Sequence, residues 1–234
     1  MWKQLWQGAL EMVFPARCAV CGAYGSLLCG PCREALPRAL PPRCALCWRV
    51  NTTGYDEVCP SCREARPAFE GARAPYCYEG PVRQLLWALK YEFVTALAAP
   101  LATLMAQYLE EQRLPAPDFD LLAAVPLHPR RRRERGYNQA ALLARDLSRL
   151  LGCPWDDAML RRAKAGPPQA RSASIEERQR NVVGAFVADA QRAPGRRVLL
   201  IDDVMTSGAT LNACARALKD AGAASVWALT IARD

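Results

Sequence analysis

Eight cysteines lie close together near the start of the chain, in four pairs that each enclose two residues. The pairs are Cys18/Cys21, Cys29/Cys32, Cys44/Cys47 and Cys59/Cys62. This spacing lets both sulfurs of a tight knuckle face one tetrahedral ion, so four knuckles supply the ligands of two Zn²⁺ sites. A site closed by four thiolates leaves no position for water, and both ions are therefore predicted to be structural. Sequential pairing of the knuckles and crossed pairing both agree with the spacing.

A second chemical motif follows a buried strand predicted at residues 198–201. Two carboxylates, Asp202 and Asp203, precede a loop of small residues at the start of a predicted helix: Thr206, Ser207, Gly208, Ala209 and Thr210. Amides at a helix N-terminus bind phosphate together with nearby hydroxyl groups, and carboxylates accept hydrogen bonds from sugar hydroxyls. Parallel α/β sheets bind ligands at the carboxyl ends of their strands. The motif therefore predicts a ribose phosphate site, and the missing Gly-Lys-Ser/Thr excludes a Walker loop.

The positive charge of the chain is concentrated in one stretch. The net charge is +8, and residues 128–180 hold 13 basic against 6 acidic side chains, twelve of the 13 being arginine. Arginine suits forked contacts with phosphate, so this stretch indicates a phosphate-rich partner, with a solvated basic face as the alternative. Its densest part is a run expected to form a loop: Arg130, Arg131, Arg132, Arg133, Arg135 and Gly136.

The elements that must position these residues follow from apolar periodicity. An amphipathic helix is predicted within residues 1–17, a double zinc-ribbon module at 18–65, a linker at 66–78 and an α/β domain at 79–234. In this domain helices are predicted at 82–90, 97–112, 138–151 and 209–221, and strands at 121–125, 186–188, 198–201 and 225–232. Apolar strands that alternate with helices are typical of a parallel sheet.

Several segments together resemble one family. Residues 198–210 resemble the phosphoribosyl pyrophosphate (PRPP) loop of type I phosphoribosyltransferases. The cysteine array, Ala-Leu-Lys-Tyr at 88–91, Val-Pro-Leu-His-Pro at 125–129, Arg-Glu-Arg-Gly-Tyr-Asn-Gln at 133–139 and Glu-Arg-Gln-Arg-Asn-Val at 177–182 narrow the resemblance to the ComF family, the competence protein ComFC and its relatives. The resemblance implies a type I phosphoribosyltransferase-like parallel sheet with an N-terminal zinc-ribbon module.

The resemblance also implies roles for individual residues. Asp202 and Asp203 would bind the ribose hydroxyls of PRPP, directly or through Mg²⁺, and residues 206–210 would hold the 5′-phosphate. The segment from Arg130 to Gly136 lies where the family places its pyrophosphate loop, and residues 161–181 where it places a mobile loop. In that loop the sequence departs from the family pattern, with Gly166 where threonine is expected and Ser172 where leucine is expected.

Two functions from different classes remain open. One is a PRPP-dependent transferase with an unknown nucleobase or amine acceptor. The other is a competence factor that binds PRPP and handles single-stranded DNA, with Trp48, Tyr55 and Tyr137 as candidate stacking residues and competence-machinery proteins as further partners. No apolar run is long enough to cross a membrane and no signal peptide is recognisable, so a cytoplasmic protein is expected, with peripheral attachment to the inner membrane as an alternative.

Overall fold

The computed structural model describes residues 15–51, 54, 57–112, 119–163 and 184–234. The predicted helix within residues 1–17 and the segment 161–181 fall largely outside these ranges, as does Tyr55. The helices, in chain order, are α1 (Gly30–Glu34), α2 (Pro60–Glu64), α3 (Gly80–Tyr91), α4 (Ala98–Glu111), α5 (Pro129–Arg135), α6 (Gln139–Leu151) and α7 (Ala209–Asp220), with a 3₁₀ turn at Thr95–Leu97. The strands are β1 (Gly71–Arg73), β2 (Tyr76–Cys77), β3 (Leu121–Ala124), β4 (Trp155–Asp156), β5 (Leu160–Arg162), β6 (Phe186–Ala188), β7 (Arg197–Met205) and β8 (Ser225–Arg233).

A parallel sheet organises the molecule, in the order β1-β8-β7-β3-β4, as the strand–helix alternation predicts. Its centre is β7, which pairs with β8 over most of its length and with β3 from Val198 to Ile201. The segment expected to be a linker instead supplies the edge of the sheet, because β1 and β2 both pair with β8. Pro75 separates these two short strands and cannot donate to a ladder, which explains why the edge is interrupted.

Helices and loops cover both faces of the sheet. Successive side chains of a strand point to opposite faces, and in β7 Leu199 and Ile201 pack with α3, α4 and α6. Val198 and Leu200 pack on the other face with α7, the β5–β6 pair and the cysteines at 44–62. The second half of the cysteine-rich segment is thus part of the core of the sheet domain.

The arginine run forms a helix, α5, where a loop was expected. Pro129 occupies the first turn, where its fixed φ suits a helix, and the His128 Nδ1 atom accepts a hydrogen bond from the Arg130 amide at 3.2 Å. Arg130 and Glu134 form an i,i+4 ion pair at 2.7 Å, and Gly136 ends the helix in the left-handed conformation at φ 78°. These local signals outweigh the repulsion between adjacent arginines.

The different burial of the two cysteine groups predicts different effects of their loss. We expect about two zinc ions per chain by elemental analysis, since each group of four thiolates holds one ion, and about one ion in either Cys59→Ser or Cys29→Ser. Cys59 is buried in the core beneath the sheet, whereas Cys29 is half-exposed. Cys59→Ser should therefore lower the Tm of the whole chain by more than Cys29→Ser does. Equal shifts of Tm in circular dichroism melts would contradict this difference.

Candidate ligand site and metal centres

The predicted carboxylate pair lies at the carboxyl end of β7, directly before the loop that leads into α7. Asp202 is half-buried and pairs in register with Thr230 of β8, while Asp203 is almost wholly buried. Asp202 is therefore the more accessible of the two predicted acids. The edge where β7 ends is the position at which open α/β sheets bind ligands.

Asp203 is fixed by two side chains from two different helices. Its carboxylate forms an ion pair with the Nζ atom of Lys90 at the end of α3. Its Oδ1 atom accepts a hydrogen bond of 3.1 Å from the amide of Gln139 at the start of α6. Burial alone would raise the pKa of Asp203, but the charge of Lys90 and the hydrogen bonds lower it below its ordinary value. Asp203 is therefore held as a carboxylate inside the protein.

Asp202 has the opposite electrostatic character. Its Oδ1 atom accepts a hydrogen bond of 2.8 Å from the backbone amide of Asp203. Burial and the neighbouring negative charge of Asp203 raise the pKa of Asp202 well above its ordinary value. The charged form of Asp202 is therefore costly in the empty site, and a cation that arrives with a ligand would favour it.

The carboxylate pair by itself offers little to a magnesium ion. Lys90 and Gln139 already engage the carboxylate of Asp203, and one oxygen of Asp202 is bonded to the backbone. Mg²⁺ commonly keeps several waters and binds through one or two carboxylates plus phosphates of a ligand. The residues present therefore fit a Mg²⁺ ion that arrives with a phosphorylated ligand, and not a cage made by the protein alone.

The loop after β7 has the geometry of a phosphate cradle. Gly208 adopts the left-handed conformation at φ 80°, which favours glycine, and begins the twelve-residue helix α7. The Ser207 Oγ atom accepts a hydrogen bond of 3.3 Å from the Ala209 amide, and Thr206 is exposed. The first amides of any helix lack intrahelical acceptors and carry partial positive charge, so the α7 N-terminus can hold an anion next to Asp202.

A hydrogen-bonded chain joins the arginine helix to this site. The guanidinium of Arg135 donates to the Gln139 Oε1 atom, and Gln139 in turn donates to Asp203. The same guanidinium lies over the ring of Tyr91, 5.1 Å from its centroid. Of the five arginines, Arg135 is thus the one that contacts the residues around the carboxylate pair, whereas the others are exposed on α5.

Two further polar groups near the site are incompletely satisfied. The Nε atom of Arg162 on β5 and the Nε2 atom of His128 are buried and have no hydrogen-bond partner among the described residues. Burial lowers the pKa of Arg162, and the like charge of Arg131 lowers it further. Arg162 therefore adds to the positive potential beside α5.

The eight cysteines form two groups of four, in which the sulfur atoms lie within 4.8 Å of one another. They are Cys18, Cys21, Cys29 and Cys32, and Cys44, Cys47, Cys59 and Cys62, and among the described residues no other group of three or more His, Cys, Asp or Glu side chains is placed to hold an ion. The pairing of knuckles is therefore sequential, the first of the two arrangements that the spacing allowed. The all-sulfur donor set and the closed geometry fit a structural zinc ion in each group.

Hydrogen bonds from backbone amides stabilise the thiolate form of one cysteine in each group. Burial would raise the pKa of Cys18, but hydrogen bonds from the amides of Cys29 and Cys21 lower it to about 6. Burial would also raise the pKa of Cys44. The backbone amides of Cys47 and Cys59 donate to its sulfur atom at 3.5 and 3.3 Å and lower this pKa to about 7. A thiolate is the form that binds metal, so the backbone stabilises the ligand state in both groups.

Arg233 connects the second cysteine group to the phosphate cradle. It is buried at the end of β8, and its Nε atom donates to the carbonyl oxygen of Cys47 at 3.2 Å. Its Nη1 atom donates to the carbonyl oxygens of Met205, at 2.9 Å, and Thr206. The conformation of the loop after β7 therefore depends on the position of the Cys44/Cys47 knuckle.

Sequence reasoning gave no individual role to Lys90, Gln139, Arg162 or Arg233, although the first two lie within motifs that carried the family resemblance. It also proposed Trp48 as a stacking residue, which is wrong. Trp48 is buried, donates to the carbonyl oxygen of Ala74 at 2.8 Å and packs edge-on against Tyr108. Tyr137 is half-buried and its hydroxyl group donates to the carbonyl oxygen of Leu89.

Comparison with known proteins agrees with this geometry. Residues 138–234, which hold the carboxylate pair and the cradle, match the phosphoribosyl transferase domain. The chain is 31% identical to the DNA utilization protein YhgH of Salmonella typhi, over 93% of this chain and 98% of that protein. It is 29% identical to Competence protein F of Haemophilus influenzae, over 88% of this chain and 90% of that protein. A structural match with the glutamine PRPP amidotransferase of B. subtilis covers 56% of this chain and 26% of that chain, with a TM-score of 0.39 and 20% sequence identity.

These matches define a class of protein in which a phosphoribosyltransferase domain carries two four-cysteine clusters consistent with a zinc ribbon. Within that class, similarity over nearly the whole length to YhgH and to Competence protein F shows that the chain belongs to the ComF family. Among the described residues, no helix is long and apolar enough to cross a membrane.

The buried ion pair predicts a strong effect of removing one partner. Lys90→Met leaves Asp203 charged and unpaired, which costs about 3–5 kcal/mol of unfolding free energy. Replacing both partners, by Lys90→Met with Asp203→Asn, should restore most of the loss because no buried charge is left. Chemical denaturation of the three proteins measures both values. Equal losses of unfolding free energy in the single and double variants would show that the unpaired charge of Asp203 is not the cause of the loss.

The same variant predicts a change in the pH dependence of stability. In the native chain the lowered pKa of Asp203 gives stability that is lost as the pH falls below about 4. Without Lys90, burial raises the pKa of Asp203, so Lys90→Met should become less stable as the pH rises from about 4 to 7. Denaturation midpoints across this pH range check the sign, and the double variant with Asp203→Asn is the control, because it lacks the charge of Asp203 and keeps Asp202.

Proposed function

We propose that this protein binds PRPP, or a closely related ribose phosphate, together with Mg²⁺, and that it acts in the uptake and handling of single-stranded DNA during natural competence. The observation that carries the proposal is the carboxylate pair near the end of β7, five residues before a left-handed glycine at the N-terminus of α7. The names of the ComF relatives, DNA utilization protein and competence protein, support the DNA part.

Each part of the site has a defined task in this proposal. Asp202, the more accessible acid, bonds the ribose hydroxyls, and Asp203 keeps Asp202 in place through the backbone amide that it donates. The amides and hydroxyls of Thr206–Thr210 hold the 5′-phosphate without needing a charged side chain. When bound, Mg²⁺ would neutralise the pyrophosphate oxygens, and Asp202 offers it the one carboxylate oxygen that remains free.

The arginine helix supplies the positive charge for the second part of the proposal. Arg130 is paired with Glu134, whereas Arg131, Arg132 and Arg133 have no ion-pair partner among the described residues and are exposed. A pyrophosphate needs one or two cations, and Arg135 already lies next to Gln139. The three unpaired arginines are therefore available for successive phosphates of a nucleic-acid backbone.

A PRPP-dependent transferase is the second candidate function, and the same domain match supports it. Such a reaction breaks the bond between C1 of the ribose and the pyrophosphate and joins C1 to a nitrogen of the acceptor. The released product is pyrophosphate, so pyrophosphate formation from PRPP with candidate bases and amines separates this function from binding alone.

The proposed ribose contact predicts the effect of a single substitution. Asp202→Asn should weaken PRPP binding at least tenfold in isothermal titration with Mg²⁺, because the neutral amide replaces the acid at the ribose hydroxyls, and should leave the Tm nearly unchanged. Asp220→Asn is the matched control, since Asp220 is exposed at the far end of α7. Native affinity in Asp202→Asn would contradict the proposed site.

The unpaired arginines of α5 predict a change in salt dependence. Alanine at Arg131, Arg132 and Arg133 together should flatten the slope of log K against log salt for single-stranded DNA by about 2, because each phosphate that is no longer neutralised reduces the slope by roughly 0.7. Alanine at Arg66, Arg196 and Arg216, which are exposed elsewhere, removes the same charge and is the control. If both triple variants change the slope equally, α5 acts only through net charge.

A further inference from the structure

An exposed strip of aromatic rings lies on the surface beside the arginine helix. Trp87 and Tyr91 of α3 are each 54% exposed and the following Phe93 is 61% exposed, although large aromatic side chains are normally covered. Among the described residues, Tyr24 is the one other aromatic side chain with such exposure. The concentration of three exposed rings within seven residues marks this surface as a binding site.

The rings are arranged in a line that cations flank at both ends. Arg83, Trp87 and Tyr91 recur at four-residue spacing, so they lie on one face of α3, and the face extends for about 12 Å at the rise of a helix. The Trp87 and Tyr91 rings are 4.4 Å apart between centroids. At one end the Arg135 guanidinium covers Tyr91, and at the other end Arg83 is exposed.

We propose that this strip, formed by Arg83, Trp87, Tyr91, Phe93 and Arg135, is where the bases of a single-stranded nucleic acid stack. The inference rests on the proposed function and adds to it the surface that holds the bases. Every base has a π-face, so stacking on aromatic rings and guanidinium planes binds a single strand without reading its sequence. In a duplex the same faces are covered by neighbouring base pairs.

Charge complementarity favours a nucleic acid over an apolar peptide as the occupant. Arg131 and Arg132 precede Arg135 by four and three residues, so both lie on its side of α5. Both are exposed and have no ion-pair partner in the described part of the chain. Three acidic side chains belong to these two helices and their ends, and one of them, Glu134, is neutralised by Arg130. The others are Glu79 and Glu92, which flank α3. Bases on the strip would therefore place their phosphates beside exposed arginines.

Stacking and phosphate contacts have different signatures, which makes the proposal testable in the full-length protein. Trp87→Ala with Tyr91→Ala should weaken binding of a short oligothymidine by at least about tenfold. It should leave the salt slope unchanged, because every arginine that neutralises a phosphate is still present. Trp87→Phe with Tyr91→Phe should keep most of the affinity, since the rings remain. Binding of a duplex of the same length should not respond to either pair of substitutions.

The controls separate this proposal from the proposed function. Leu150→Ala with Leu151→Ala removes exposed apolar surface at the end of α6 and should change nothing. Native oligothymidine affinity in the Trp87/Tyr91 alanine variant would overturn the strip while leaving DNA handling and PRPP binding intact. An equal loss of PRPP affinity in that variant would also overturn it, by showing damage through Lys90. If the unaltered protein binds no oligothymidine, the DNA part of the proposed function fails and the strip fails with it.

Discussion

The buried ion pair between Lys90 and Asp203 is the interaction on which the candidate site depends. It joins the end of α3 to the end of β7, and Gln139 adds α6 to the same carboxylate. An unpaired charge at this depth would be strongly destabilising, so each partner of the pair is needed wherever the other is present. The pair also fixes the electrostatics of its neighbour, because the negative charge of Asp203 helps to keep the pKa of Asp202 high. One contact therefore acts both on the packing of these elements and on the electrostatics of the candidate site.

The cysteine clusters serve the site in different ways. The second cluster lies in the core under the sheet, and Arg233 ties the carbonyl oxygen of Cys47 to those of Met205 and Thr206. The backbone of the phosphate cradle is thereby connected to a metal knuckle more than 150 residues earlier in the chain. The first cluster has a more exposed set of sulfurs, and the residues around it pack against the α3–α4 side of the core. The cysteine-rich module is thus separate from the sheet domain in sequence, but its second half is packed into the core of that domain.

Much of the fold and part of the site follow from the sequence. The four cysteine pairs predicted two four-thiolate sites because two-residue spacing has one common geometric use, whereas the sequential pairing came from the structure. The apolar run before Asp202 and Asp203 predicted the strand that carries them. Lys90 gave a weaker signal, which sequence reasoning missed. It follows Leu86 by four residues, next to the buried face of α3, where a lysine needs a carboxylate partner. The identity of that partner, 113 residues away, depends on how the helix packs on the sheet. The helical state of the arginine run was missed because the run lies between a predicted strand and a predicted helix and was expected to be the loop between them, whereas Pro129, Glu134 and Gly136 favoured a helix.

Helix α3 brings the two proposed binding surfaces together. Its buried side carries Leu85, Leu86 and Leu89 into the core, and Lys90, at the border of that side, reaches the carboxylate pair. Its exposed side carries the aromatic strip. Arg135 touches both surfaces, because it covers Tyr91 outside and donates to Gln139 inside. A ligand that draws Arg135 toward a phosphate must weaken either its contact with the ring or its hydrogen bond to Gln139. Since binding effects between two sites are reciprocal, occupation of the ribose phosphate site and of the strip should influence each other through this one side chain. Substitutions can therefore distinguish the strip from the ribose phosphate site, although both surfaces include Arg135.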